Sequence, residues 1–501
     1  MEDEEFREGL KKQIAEVIAA GPFADTWESL TEYRPAKWFC DSKFGIFIHW
    51  GVYSVPAFSN EWYPRNMYTQ GTPEFAHHVK TYGPQKDFGY KDFIPMFRAE
   101  KFNAAEWAEL FKEAGARFVV PVAEHHDGFQ MYASRLSGWN AAEMGPHRDL
   151  IGEEEKAYRD AGLLFGCSSH RIEHWFFLGH GREFDSDLKE QDEKQPLHRG
   201  DLYWPSVDLP DAQIASLRSE PRITDEFMED WLLRSCELVD RFHPQLFYFD
   251  WWIHEEAAKP WLRKFLAYYY NRAAQWKKEV AVAYKHDACA FGSAIFDLER
   301  GKLSSAVPYP WETDTAVARN SWCHTDSLLY KTPYEIVTYL ADVVSKNGTL
   351  LLNIGPNADG TIPREDADIL KAVGAWLGVN GEAIYGSRCW RTAEEGPTRE
   401  KEGQFTDAEG TVYTGQDFRF TAGNGSIYAI ALKYPEDGKI CINSLRQTED
   451  DNKPAFAGLI RDVSILGSDE KIDWTVDSEG LKFTTHSVCS DMPVTIRIRT
   501  E

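Results

Sequence analysis

The feature that most restricts the fold of this chain is a rhythm of helical stretch, stop, and short apolar run. Asn103 stands where it can cap a helix through Ala114, Gly115 ends that helix, and the apolar run Phe118–Ala123 follows at once. A helix near Glu153–Ala161 stops at Gly162 before Leu163–Cys167. Helices across Thr224–Arg241, Trp261–Trp276 and Tyr334–Ser345 precede the runs Leu246–Asp250, Val280–Tyr284 and Thr349–Ile354. Lys43–Trp50 is a first strand of the same kind, preceded by a polar helix and a connection. Continuous apolar runs suit strands buried on both faces of a parallel sheet. Strands that alternate with helices of about ten residues or more imply that sheet. Six or seven such units over roughly 350 residues favour an α/β fold of the closed (β/α)8-like barrel type over a doubly wound sheet. No G-x-G-x-x-G follows any strand, which also weakens a dinucleotide fold.

Beyond about Trp390 the texture changes. Residues 391–411 are charged and contain glycine, as in a linker. Short alternating runs then follow at Ile427–Leu432, Lys471–Val476 and Leu481–Thr485, and at Val494, Ile496 and Ile498, with turn residues between them. This reads as an all-β sandwich of about 100 residues. The expected organisation is therefore a catalytic barrel over residues 1–390 and a C-terminal sandwich over residues 391–501.

Bulk properties remove several classes of function. A net charge of −25 argues against nucleic acid and anionic membrane surfaces as partners. No stretch of about 18 apolar residues could span a bilayer. The eight cysteines are scattered and form no C-x-x-C pair, so they are expected to be reduced. The start M-E-D-E-E-F-R-E-G-L lacks a basic segment followed by an apolar core, so a cytoplasmic location is expected unless a signal has been removed. A homo-oligomer stays open.

Polar residues gather just after the expected strands: His49-Trp50 and Asn60-Glu61-Trp62 after the first, Glu124-His125-His126-Asp127 after the second, Ser168 to Trp175 (S-S-H-R-I-E-H-W) after the third, Asp250-Trp251-Trp252 after the fourth, Lys285-His286-Asp287 after the fifth. Asp297-Leu298-Glu299-Arg300 and Trp311-Glu312 come next, on stretches that could fold over a pocket mouth. Loops at the C-terminal face of a barrel converge, so these groups can form one pocket. Each has a plainer reading. Asp250 can be a turn aspartate that ends a core strand, and His49 a hydrogen-bonded core histidine. Glu299 can pair with Arg300 on a surface turn. His125 and His126 could bind a metal, but neighbours on a strand point to opposite faces, which suits one ligand better than two. His170 and His174 have helical i, i+4 spacing but lack the H-E-x-x-H order.

The motifs resemble those of the α-L-fucosidases, glycoside hydrolase family twenty-nine. The resemblance lies in K-F-G-I-F-I-H-W-G-V-Y-S-V-P-A-F (Lys43–Phe58) with E-W-Y (Glu61–Tyr63), and in H-H-D-G-F (His125–Phe129). It continues in S-x-W-N (Ser137–Asn140), G-P-x-R-D (Gly145–Asp149), L-L-L-N-I-G-P (Leu350–Pro356) and N-G-E-A-I-Y (Asn380–Tyr385). It covers about residues 35–390, with a C-terminal β-domain similar in kind. The resemblance implies a retaining exo-hydrolase of fucosylated oligosaccharides or glycoconjugates that uses no cofactor and no metal. Asp250 sits in the strand that carries the family's nucleophile. Carried over by position, His49, Glu61, Trp62, His125 and His126 hydrogen-bond the fucose hydroxyls and cover one ring face. Trp252 offers a further ring beside Asp250. Many members have G-x-Y-Y-S after strand three; this chain has Gly166-Cys167-Ser168-Ser169-His170, and His170 or Glu173 stands in for the tyrosine. Lys285 stands where the family has an arginine. Glu299 matches the acid/base position best by its distance beyond strand five, and Glu312 is the rival. A metal-dependent hydrolase built on the histidines and an inactive fucose-binding protein are the alternatives.

Overall fold

The computed structural model describes residues 2–408, 410–448 and 456–501. Eight parallel strands close into a barrel: β1 (Phe44–Ile48), β2 (Phe118–Glu124), β3 (Leu164–Ser169), β4 (Leu246–Phe249), β5 (Ala281–Tyr284), β6 (Ile295–Asp297), β7 (Trp311–Ala316) and β8 (Gly348–Ile354). The order around the barrel follows the sequence, and β8 closes on β1 with Ile46 opposite Leu352.

Helices cover the strands where the rhythm placed them. Asn103 caps Ala104–Glu113 by accepting from the Ala105 and Glu106 amides, and Gly115 follows in the left-handed region at φ 83°. Thr332 and Glu335 form a reciprocal capping box at Pro333–Ser345. Asp225–Phe242 and Lys259–Trp276 pack between β3, β4 and β5 in the chain, each preceding an apolar strand.

The expected six or seven strand units become eight strands. The two extra ones, β6 and β7, come without a helix between β5 and β7. β6 is only three residues long, and β7 reads W-E-T-D-T-A, polar at most positions yet buried throughout. Neither has the apolar run that marks the other strands.

The C-terminal region is a sandwich of two antiparallel sheets. One has the order β13-β16-β11-β10-β9, built from β9 (Arg388–Glu395), β10 (Phe418–Gly423), β11 (Ser426–Ala431), β13 (Ile460–Ile465) and β16 (Val494–Thr500). The other pairs β12 (Lys439–Ile442), β15 (Leu481–Thr484) and β14 (Trp474–Val476). Phe418, Phe420 and Ile496 from the first sheet share a core with Ile442, Leu481 and Phe483 from the second. Alternation along β11 splits its side chains, so that Ala429 faces that core while Ile430 joins the barrel's. Arg419 on β10 donates to Asp342 on the helix before β8 at 2.5 Å, and Trp376 donates to the Pro493 carbonyl at 2.7 Å, tying sandwich to barrel.

The stretch read as a linker is built into both domains. Its first residues complete β9. Farther on, Lys302 and Gly403 exchange backbone hydrogen bonds, and the Phe405 and Thr406 amides donate to the Glu299 and Arg300 carbonyls at 3.0 and 2.9 Å.

Candidate active site

At the C-terminal ends of the strands lies a cavity of about 340 Å³, near the lower end of the size range for small-molecule sites. His49, Glu61, Trp62, His125, His126, His170, Glu173, Asp250, Trp252 and Glu299 all line it. Lys285 lies just beneath, within reach of its carboxylates.

β4 delivers Asp250 as its first residue past the strand. Asp250 Oδ2 accepts from His170 Nδ1 at 3.0 Å and from His126 Nε2 at 3.3 Å, and Oδ1 lies 3.7 Å from Lys285 Nζ. Ser168 Oγ, 2.7 Å from His170 Nε2, occupies the other ring nitrogen and leaves Nδ1–H for Asp250. Burial pushes the Asp250 carboxyl up. The His170 charge, the two histidine hydrogen bonds and Lys285 outweigh it and hold Asp250 well below the usual carboxylate range.

Glu299 follows β6 by two residues. Its Oε2 accepts from Lys285 Nζ at 2.8 Å and from the Trp251 indole N–H. Burial raises this carboxyl to about 7 against the pull of Lys285, with the Asp314 and Asp250 charges adding to the rise. Asp250 Oδ1 and Glu299 Oε2 are at most about 6.5 Å apart, the sum of their distances from Lys285 Nζ. Lys285 also lies 3.3 Å from Asp297 and 3.2 Å from Asp314. Burial lowers its affinity for a proton, but four surrounding carboxylates raise it well above the ordinary lysine range.

The imidazoles form the opposite wall. His49 Nδ1–H donates to Asn353 Oδ1 at 2.7 Å, while Asn353 Nδ2 donates to the Trp322 carbonyl at 2.6 Å; this leaves His49 Nε2 as an acceptor. Both His125 and His126 face the pocket, with rings stacked at 4.0 Å. The expectation that neighbouring histidines point apart fails because β2 ends at Glu124, so strand alternation no longer applies. Burial keeps His49 and His125 well below the usual imidazole range and takes His126 down to about 4, so these rings are neutral. His126 Nε2 also lies 2.6 Å from Glu173 Oε2. Burial and the Asp250 charge push Glu173 well above its ordinary value. Glu61 accepts from the Trp322 amide at 3.0 Å, and Trp62 meets His126 edge-on at 5.5 Å. Trp252 sits in the left-handed region at φ 66°, a costly conformation for a bulky side chain at a pocket wall.

His170 and His174 do not act as a pair. His170 lines the pocket, while His174 Nδ1 bonds the His126 carbonyl at 2.8 Å. The segment between them is anchored by Arg171, which donates to Glu124 and Asp230 at 3.1 and 3.0 Å. Two groups at the pocket place their ligand atoms within 4.8 Å of one another, as one cation would need: His49, His125 and His170, and His126, His170 and Asp250.

Glu312 lies off the cavity. It is fully buried within β7, two residues before Asp314 on the same strand face, one layer deeper in the barrel. The expectation that its stretch covers the mouth fails because that stretch is a barrel strand. Asp314, Tyr248, Trp322 and Phe405 line the cavity without having been expected. The period-two spacing of Glu312 and Asp314 was the available signal for Asp314. Nothing local in the sequence points to Phe405, which reaches the pocket only through the backbone pairing of residues 403–406.

A family model described as α-L-fucosidase matches residues 10–382, and one described as the α-L-fucosidase C-terminal domain matches residues 412–496. The chain belongs to the α-L-fucosidase family. It is a glycoside hydrolase. The tissue α-L-fucosidase of Rattus norvegicus is 31% identical over 478 residues, covering 93% of this chain and 89% of that one. The plasma α-L-fucosidase of Homo sapiens is 31% identical over 468 residues, covering 91% and 86%. The crystal structure of the Thermotoga maritima α-fucosidase superposes with a TM-score of 0.74 at 29% identity, covering 95% of this chain and all of that one, and the same enzyme has been solved in complex with fucose.

Proposed function

We propose that this enzyme is a retaining exo-α-L-fucosidase that releases terminal α-L-fucosyl groups from oligosaccharides or glycoconjugates. The observation that carries the reading is the unequal carboxyl pair on Lys285, with Asp250 kept ionised and Glu299 raised to about 7. Their bound of about 6.5 Å accommodates the roughly 5–5.5 Å separation of a retaining pair. Asp250 attacks the anomeric carbon as Glu299 protonates the departing oxygen. Glu299, now ionised, takes a proton from water, which opens the fucosyl–Asp250 ester. With Oε2 held by Lys285 and Trp251, Glu299 Oε1 is the oxygen that carries the proton.

The neutral imidazoles of His49, His125 and His126, with Glu61 and Glu173, supply donors and acceptors for the fucose hydroxyls. His170 orients Asp250, and Trp62 and Trp252 cover the ring. No cofactor enters these steps. A cytoplasmic location is part of this reading, supported by eight unpaired cysteines. The clustered histidines favour one other reading, a metal-dependent hydrolase.

A 2-deoxy-2-fluoro-fucosyl fluoride, which slows deglycosylation, should inactivate the enzyme and add one fluorofucosyl group to the peptide bearing Asp250. A label on Glu173 or Glu299 would overturn the assignment, as would inverted configuration of the first-formed fucose.

A further inference from the structure

The barrel-end residues of the cavity account for one fucosyl ring, but one of its lining residues comes from a different part of the chain. Phe405, in the segment between the barrel and the sandwich, lines the same cavity as Asp250 and Glu299. Its ring is 54% exposed. It lies nearly parallel to Trp251, with centroids 5.9 Å apart and planes at 15°. Its backbone has φ 55°, a left-handed conformation that bulky side chains rarely adopt.

The segment that presents this ring is firmly held. The Phe405 and Thr406 amides extend a short ladder to the backbone of Glu299 and Arg300. Asp407, next along, is gripped by Lys331 at 2.5 Å and by Arg300 at 3.5 Å, with Thr315 donating as well. A half-exposed aromatic ring on an anchored, strained turn at a pocket mouth is an arrangement that ligand contact explains and packing does not.

We propose that Phe405 and Trp251 form the binding face for the sugar to which fucose is linked, a pyranose that lays its C–H face on the two rings. The inference rests on the fucosidase reading. Glu299 must lie within hydrogen-bond reach of the glycosidic oxygen, and the Trp251 indole N–H is itself bonded to Glu299. Whatever carries that oxygen therefore leaves the site past Trp251 and Phe405. Aromatic rings suit this role, because they bury apolar C–H area with little loss of side-chain freedom. The interdomain segment thus sets the preference for the leaving group.

The test compares α-L-fucosyl fluoride, whose leaving group is too small to touch Phe405, with an α-L-fucosyl-(1→2)-galactoside. Phe405→Gly removes the ring and suits the positive φ, so folding is not at stake. Its kcat/KM on the disaccharide should fall roughly tenfold to hundredfold, mostly through KM, as expected for losing the burial of one aromatic face. Its rate on the fluoride should stay at the wild-type value, and Phe405→Trp should keep the disaccharide rate. A disaccharide loss carried by kcat at unchanged KM would mean that the segment only holds the Glu299 loop, whose acid the fluoride does not need, and an undiminished disaccharide rate would mean that no sugar rests there; either overturns the proposal. Wild-type enzyme inert on both substrates would sink the fucosidase reading itself.

Discussion

Replacing Lys285 with Met should move the basic limb of the pH–rate profile upward. Lys285 donates to Glu299 at 2.8 Å and stabilises its ionised form. A hydrogen bond to a charged group contributes about 1.5–3 kcal/mol, equivalent to about 1–2 pKa units. On the proposed assignment of Glu299 as the acid, its carboxyl is protonated below about pH 7, so kcat/KM on an unactivated fucoside should fall as pH rises past that value. In Lys285→Met the fall should begin near pH 8–9, roughly, by that energy. The acid limb should move up as well, because the cation also helps to keep Asp250 ionised. Stability carries the same sign. Without the cation, Glu299 and Asp297 titrate in the fold above their unfolded values. The stability their protonated forms bring is complete at low pH and is lost as pH rises through the raised values. The deficit against wild type should approach the roughly 3–5 kcal/mol of a broken buried pair at high pH and shrink near pH 5. Initial rates from pH 4 to 10 and thermal melts at the same values test this. A basic limb that stays in place, or moves down, would refute the assignment of Glu299 as the group behind it.

Asp250→Gly should abolish turnover of an aryl fucoside while the melting temperature stays near wild type, and azide should restore part of the rate; near wild-type turnover without azide would remove Asp250 as nucleophile. Glu299→Ala should slow an unactivated disaccharide far more than an activated aryl fucoside and yield β-fucosyl azide in the presence of azide, whereas Glu312→Ala should show neither effect; the reverse pattern would exchange their roles. Dialysis against EDTA should leave kcat unchanged, and a loss that zinc restores would favour the metal reading of the histidine cluster.

The legible parts of this molecule were those written in period and punctuation. Asn103, Gly115 and Thr224 mark helix ends, and the apolar runs of β1 to β5 and β8 mark strands buried on both faces. β6 and β7 escaped notice because their inward positions hold Asp297, Glu312 and Asp314, the first and last of them beside Lys285, instead of filling the barrel with apolar volume. A chemical demand inside the barrel thus erased the pattern that signals a strand, and Glu312 was misplaced with it. The wall residues could be read from strand ends because barrel topology brings those ends together. Phe405 could not, since its place depends on a pairing across about 100 residues that no local spacing encodes.

That pairing orders events in time. A ribosome adds about 5–20 residues each second, so Glu299 is synthesised roughly 5–20 s before Gly403–Thr406, the segment that bonds its loop. A nascent barrel can close β8 on β1 before this segment emerges, yet its Glu299 loop still lacks these partners. The support of the Glu299 loop is therefore added after the barrel strands, by the segment that leads into the sandwich.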